Sequence, residues 1–149
     1  MKEIKLTKGA VALVDDADYT YLVKFPWYAA TRRGKIKYAA TDAHPDHYMH
    51  RIILKPPAGL TVDHINNNGL DNQRTNLRAA TLTQQNRNVL PKKNRKYKGV
   101  YTNRTKWRAQ IRLNKQSIWL GAFDDEKDAA KAYDEAAKKY FGAFARLNF

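Results

Sequence analysis

The sequence predicts an α+β chain: a β-rich N-terminal region, an asparagine-rich middle, and a three-stranded antiparallel sheet backed by one helix. Three observations carry this. Short apolar or alternating runs, broken by turn residues, recur as far as Leu54. Asn66, Asn67, Asn68, Gly69 and Asp71 then crowd together, all types that favour turns and left-handed backbone. From Tyr97 onward, strand-like runs precede a helical stripe of small residues and rings.

Lys2 to Lys8 alternates polar and apolar around Ile4 and Leu6, and Val11 to Val14 is a short apolar run ended by Asp15, Asp16 and Asp18. Tyr19 to Lys24 suits a strand or a short helix, which Pro26 ends. Trp27 to Ala30, Lys35 to Thr41 and Tyr48 to Leu54 read as further strands, with Arg32-Arg33-Gly34 as a hairpin turn. Trp27 belongs to the core on this reading. Pro56-Pro57-Ala58-Gly59 closes the segment, Thr61 to Ile65 is a short strand, and Leu77 to Asn88 suits a helix with Leu77 and Ala80 inward. Lys98 to Val100, Trp107 to Leu113 and Ser117 to Phe123 read as three strands joined by tight polar turns. In the second, Trp107, Ala109, Ile111 and Leu113 alternate with Arg108, Gln110 and Arg112, so one face is apolar and the other basic. Asp125 to Tyr140 reads as helix, with Asp124 as its N-cap, Lys138 and Lys139 at its negative end and Gly142 as its stop.

Charge narrows the function classes. The formal net charge is +14, and residues 72–123 hold thirteen Lys and Arg and no acidic residue. A one-signed stretch with aromatics and amides interleaved calls for a polyanion, because each neutralised phosphate releases a counterion. Five of the seven residues from Lys92 to Lys98 are basic, which suits a linker that meets phosphates. There is no Cys, so a disulfide framework and a cysteine zinc site are excluded. No N-terminal apolar run reaches signal-peptide or membrane-span length, which makes the cytoplasm the expected compartment and a membrane no expected partner. His44, His47 and His50 fall at intervals of three, but a β-rich stretch does not bring them to one face.

The chemistry concentrates in Asp63-His64, Asn72, Asn76-Leu77-Arg78 and Asn86-Arg87-Asn88. A carboxylate beside an imidazole at a strand end lets one residue hold a cation while the next takes a proton from water. Carboxylate and amide oxygens suit a hard ion such as Mg²⁺. The competing reading makes the asparagines turn formers and His64 an ordinary buried histidine.

Val62-Asp63-His64-Ile65-Asn66, Leu70-Asp71-Asn72, Thr75-Asn76-Leu77-Arg78 and Gln85-Asn86-Arg87-Asn88 together resemble the HNH homing endonucleases, in the phage and prophage branch whose last signature His is Asn. The resemblance implies a ββα-metal (His-Me) finger and a metal-dependent DNA endonuclease. It makes His64 the general base, Asn76 the residue that orients it and braces the loop, and Asp63 and Asn86 the ligands of Mg²⁺ or Mn²⁺. Asn88, two residues on, is the alternative ligand. One metal site per chain cuts one strand, so the chain is expected on DNA as a monomer or weak dimer.

Tyr97-Lys98-Gly99-Val100, Trp107-Arg108-Ala109-Gln110-Ile111, Trp119-Leu120-Gly121-Ala122-Phe123, Ala129 to Asp134 and Phe141 to Phe149 resemble an Apetala-2/ethylene-response-factor DNA-binding domain. That resemblance lays the sheet in the major groove of double-stranded DNA. By position it assigns contacts to Lys98, Tyr101, Asn103, Lys106, Arg112 and Trp119, beside the basic face of Arg108, Gln110 and Arg112. Tyr101, Asn103 and Ser117 stand where plant members often carry Arg, so a GC-rich target does not follow. The expected organisation is a nuclease domain over residues 1–90, β-rich over 1–57 and finger over 58–90. A basic linker over 91–96 and a DNA reader over 97–149 follow it. The alternative function is a non-catalytic DNA-binding regulator on the same scaffold.

Overall fold

The computed structural model describes residues 1–32, 34–91 and 93–149, and of Arg32 and Asn103 the backbone alone. Arg33 of the expected hairpin turn and Lys92 of the expected linker lie outside the described residues. The chain divides into two compact units, Met1–Leu82 and Thr83–Phe149.

In the first unit, β1 (Lys2–Lys5) and β2 (Val11–Val14) form an antiparallel pair that buries Ile4 and Val14. The ambiguous stretch after it is a helix, α1 (Asp16–Leu22), with Asp16 and Asp18 in its first turn, where the helix dipole favours negative charge. Trp27 is buried and its Nε1 donates to the Leu22 carbonyl at 2.8 Å, so the ring seals the end of α1. β3 (Tyr28–Arg32) and β4 (Lys35–Ala40) form a second hairpin.

Two expectations about these elements fail. Tyr48 to Leu54 is not a strand: Tyr48 makes a single bridge to Ala40, and Met49–Leu54 is a helix, α2. Met49, Ile52 and Ile53 are buried at i, i+3 and i+4, the spacing of one helical face. Leu77 to Asn88 is not one helix. After β5 (Thr61–His64), Leu77–Ala80 is its antiparallel partner β6, and only Leu82–Arg87 is helical, as α3. Leu77 and Ala80 fit either structure by spacing; pairing with Thr61–His64 decides, because it satisfies backbone groups beside a buried core. That core gathers Ile4, Val14, Leu22, Trp27, Met49, Ile52, Val62 and Leu77.

The second unit follows the expected order. β7 (Val100–Asn103), β8 (Lys106–Leu113) and β9 (Gln116–Phe123) form one antiparallel sheet, packed on α4 (Glu126–Phe141). The cap of α4 is Asp125 rather than Asp124: its carboxylate accepts from the backbone of Lys127 at 2.6 Å and Asp128 at 3.3 Å, while Asp124 pairs with Lys106 at 3.0 Å. Ala129, Ala130, Tyr133, Ala136 and Ala137 are buried, and such small residues let the helix lie close to the sheet. The chain end is tied down from α4. Buried Asp134 accepts from the Asn148 backbone and amide and from the Phe149 backbone, and Asn148 bonds both backbone groups of Lys98.

Candidate active site and nucleic-acid interface

The first unit assembles a site on β5, β6, α2 and the loop between the two strands. Asp63 stands opposite Arg78 in the strand register. Opposed residues share a face, so the guanidinium reaches the carboxylate: Arg78 Nη2 and Nε donate to Asp63 Oδ2 at 2.7 and 2.9 Å. Both side chains are largely buried. The guanidinium neutralises the carboxylate and leaves this pair uncharged as a whole.

Alternation sends His64 to the other face of the strand. Its Nε2 lies 3.4 Å from Asn72 Oδ1. The Asn72 amide nitrogen donates to the Leu70 carbonyl at 3.2 Å, which turns the oxygen toward His64. An amide oxygen only accepts, so Nε2 carries the hydrogen of the neutral ring and the lone pair sits on Nδ1. Asn72 is itself clamped: its backbone N–H donates to the Leu13 carbonyl, and the Leu13 N–H donates to the Leu70 carbonyl, both at 2.8 Å. Arg74 anchors the same loop through Asp15 and Asp18.

Asn76 works one step further out. Its Oδ1 accepts from the Asn66 backbone at 2.9 Å and its Nδ2 donates to the Asp71 carbonyl at 2.8 Å. Its bonds run to the loop, and the side-chain contact to His64 comes from Asn72, a motif residue to which spacing alone assigns no role. Two rings complete the surroundings of His64: His50 at 5.1 Å between centroids and 81° between planes, and Tyr38 at 5.9 Å. Burial lowers the His64 pKa below the ordinary histidine value, against the raising effects of Asn72, Asp63 and Asp71. Burial also lowers that of His50, to about 3, helped by His64 and Arg51. His50 leaves no mark in motif spacing, and Arg78 lies in the motif without an assigned role; burial and strand register reveal what they touch.

The donors test the metal expectation. Among the described residues no three His, Cys, Asp or Glu side chains gather into a closed metal site. Strand β5 offers the Asp63 carboxylate, one of whose oxygens also serves Arg78. Such a set fits a hard ion that takes few protein oxygens and completes its shell with water and substrate phosphate. Asn86 belongs to the second unit, where it is exposed, while Asn88 is 2% exposed.

The second unit presents a basic, partly aromatic sheet face. Arg108 and Arg112 are exposed, and Trp119 is 55% exposed. The register puts Tyr101 opposite Arg108, Gln110 opposite Trp119, and Arg112 opposite Ser117, so these side chains share one face across three strands. Arg108 lies 5.8 Å from the Trp119 ring and Arg95 lies 4.1 Å from the Tyr101 ring. Lys106 is paired with Asp124, and the side chain of Asn103 lies outside the described residues. Lys98 turns elsewhere: its ammonium donates to the Arg87 carbonyl, and burial, with Arg146 adding to it, lowers its pKa to about 8. It lines a cleft of about 680 Å³ together with Asn86, Arg87, Arg112, Lys115 and Tyr133.

Residues 95–143 match the AP2 domain family. The chain is 28% identical over 144 residues to an uncharacterized HNH endonuclease of Acanthamoeba polyphaga mimivirus, across 95% of this chain and 76% of that protein. It is 56% identical over 46 residues to the Dehydration-responsive element-binding protein 2A of Arabidopsis thaliana, and 47% identical over 55 residues to an AP2/ERF and B3 domain-containing protein of Oryza sativa subsp. japonica. These matches cover 30% and 36% of this chain but only 14% and 15% of the plant proteins. The chain thus carries an AP2 domain at residues 95–143, within an architecture similar to that of an HNH endonuclease.

Proposed function

We propose that the chain is a metal-dependent DNA endonuclease, directed to its substrate by the sheet face of its AP2 domain. The observation that carries this reading is the held imidazole of His64. A buried, neutral histidine whose Nε2 faces an amide oxygen keeps its basic lone pair on Nδ1, as a base must before it takes a proton from water. In this reading Asp63 and Asn86 hold Mg²⁺ or Mn²⁺; Asn86 is preferred to the buried Asn88 because a ligand to a substrate-completed ion must be accessible. The bound ion would polarise the scissile phosphate and stabilise the leaving oxygen. Asn72 holds the base in its tautomer, and Asn76 keeps the loop that carries Asn72 in place. The exposed Arg108, Arg112 and Trp119, with the half-buried Gln110, meet the major groove, where arginine is the usual reader of guanine.

One observation favours a non-catalytic DNA-binding regulator. Arg78 already neutralises Asp63, and a guanidinium beside that oxygen opposes a second cation. A supercoiled-plasmid assay with Mg²⁺ or Mn²⁺ separates the two. The nuclease reading expects relaxed or linear product, loss of cutting in excess EDTA, and a rate lower by roughly a hundredfold or more in His64→Ala. DNA affinity should remain near that of the natural chain. Absence of cutting by the natural chain with either ion, or undiminished cutting by His64→Ala, would overturn it.

A further inference from the structure

His50 is a buried histidine that neither the motif nor the mechanism above uses. It lies at the start of α2, is 8% exposed, and its Nδ1 has no hydrogen-bond partner among the described residues. Its ring is stacked on Tyr48, at 5.5 Å and 12°, lies 5.1 Å from Tyr38, and meets the His64 ring edge to face at 5.1 Å. Buried polar groups almost always find partners, and one that does not weakens the fold. A phenylalanine would fill this ring position without leaving a nitrogen unsatisfied, so packing alone does not account for a histidine here.

We infer that His50 is a positioning residue for His64: its Nδ1, packed beside the base, holds a water molecule of the site that orients the base. Edge-to-face packing restrains the imidazole on one side, as Asn72 restrains it at Nε2. A buried imidazole nitrogen beside a hydrolytic base is a natural seat for ordered water, which commonly satisfies such groups. Burial keeps His50 uncharged at neutral pH, so it places no positive charge against His64 when the base takes up its proton.

The inference rests on His64 being the base, and the test separates the two claims. Full-length His50→Phe keeps the ring and removes both nitrogens; His50→Asn keeps an amide near the place of Nδ1. Both are compared with the natural chain and with His64→Ala in single-turnover plasmid cutting at increasing protein concentration. His50→Phe is expected to lower the maximal rate roughly tenfold or more, with half-saturation and DNA affinity unchanged. His50→Asn is expected to recover most of the rate. Wild-type cutting by folded His50→Phe would overturn the inference, as would a His50→Asn variant that is folded yet slow. Should His50→Phe fail to fold, ¹⁵N NMR of the histidine-labelled natural chain decides. There the inference requires a neutral His50 with a hydrogen-bonded Nδ1, and a nitrogen shift typical of an unbonded ring would refute it. Undiminished cutting by His64→Ala would instead remove the base assignment on which the inference stands.

Discussion

Two asparagines four residues apart play different roles around His64. Asn72 touches the ring, while Asn76 holds the loop that presents Asn72. The distinction matters for mutation. Losing Asn72 frees the tautomer, whereas losing Asn76 leaves the Asn66 N–H and the Asp71 carbonyl without those partners. His50 carries a pH signature at the same scale. Its folded pKa is about 3, against about 6.5 in an unfolded chain. Above pH 6.5 neither state binds the proton and the group has no effect. As pH falls below 6.5 the unfolded chain binds it and the folded one does not, so stability drops, and it keeps dropping until about pH 3. His64 acts with the same sign. The urea midpoint of the N-terminal unit, followed by the NMR signal of the Trp27 indole, should fall as pH is lowered from 7 to 4. His50→Phe should fall less steeply. Equal slopes would contradict the buried, neutral state of His50.

At the scale of elements, α2 and β6 show where local pattern is ambiguous. Met49, His50, Ile52 and Ile53 are all buried, and a run that buries neighbouring positions cannot alternate as a half-exposed strand does. In β6, the spacing of Leu77 and Ala80 fits either helix or strand, and the partner strand decides. The sheet-on-helix contact of the second unit tolerates less variation. Gly99 has φ of +75°, and a Cβ there would lie 1.9 Å from Cδ2 of buried Tyr133. The Gly99 carbonyl also accepts from the Gln110 backbone at 3.0 Å, so the peptide has little room to retreat. Gly99→Ala should therefore destabilise the C-terminal unit by about 1–3 kcal/mol, read as a lower urea midpoint for residues 83–149. An unchanged midpoint would mean that Tyr133 moves aside freely.

At the scale of the molecule, the two units have separate cores, and the one-signed stretch runs through both. A fragment of residues 83–149 should bind DNA and should not cut it, since Asp63 and His64 lie in the other unit. Its affinity should fall steeply with salt, because phosphate contacts release counterions. Arg112→Ala should cost about 1–3 kcal/mol and relax preference at one base pair if the exposed guanidinium reads a base edge. Lys96→Ala should weaken all sequences alike and flatten the salt slope. Binding-site selection and footprinting on the fragment check these together. Intact binding and site choice by residues 1–82 alone would move the reader into the N-terminal unit.

Order in the chain and local chemistry were legible from sequence. The basic stretch required only charge, the β8 face only alternation, and the helix α4 only its stripe and terminal charges. The motif spacing singled out Asp63, His64, Asn72 and Asn76 because each lies within a short distance of the next along one loop and its flanking strands. Tertiary structure decided what these residues touch. His50 reaches His64 through the packing of α2, Arg78 reaches Asp63 through strand register, and Asn72 is fixed by Leu13 from a distant hairpin. None of these pairings leaves a periodic trace. They arise because burial brings together segments far apart in sequence, and the cost of leaving a buried polar group unpaired selects which side chains meet.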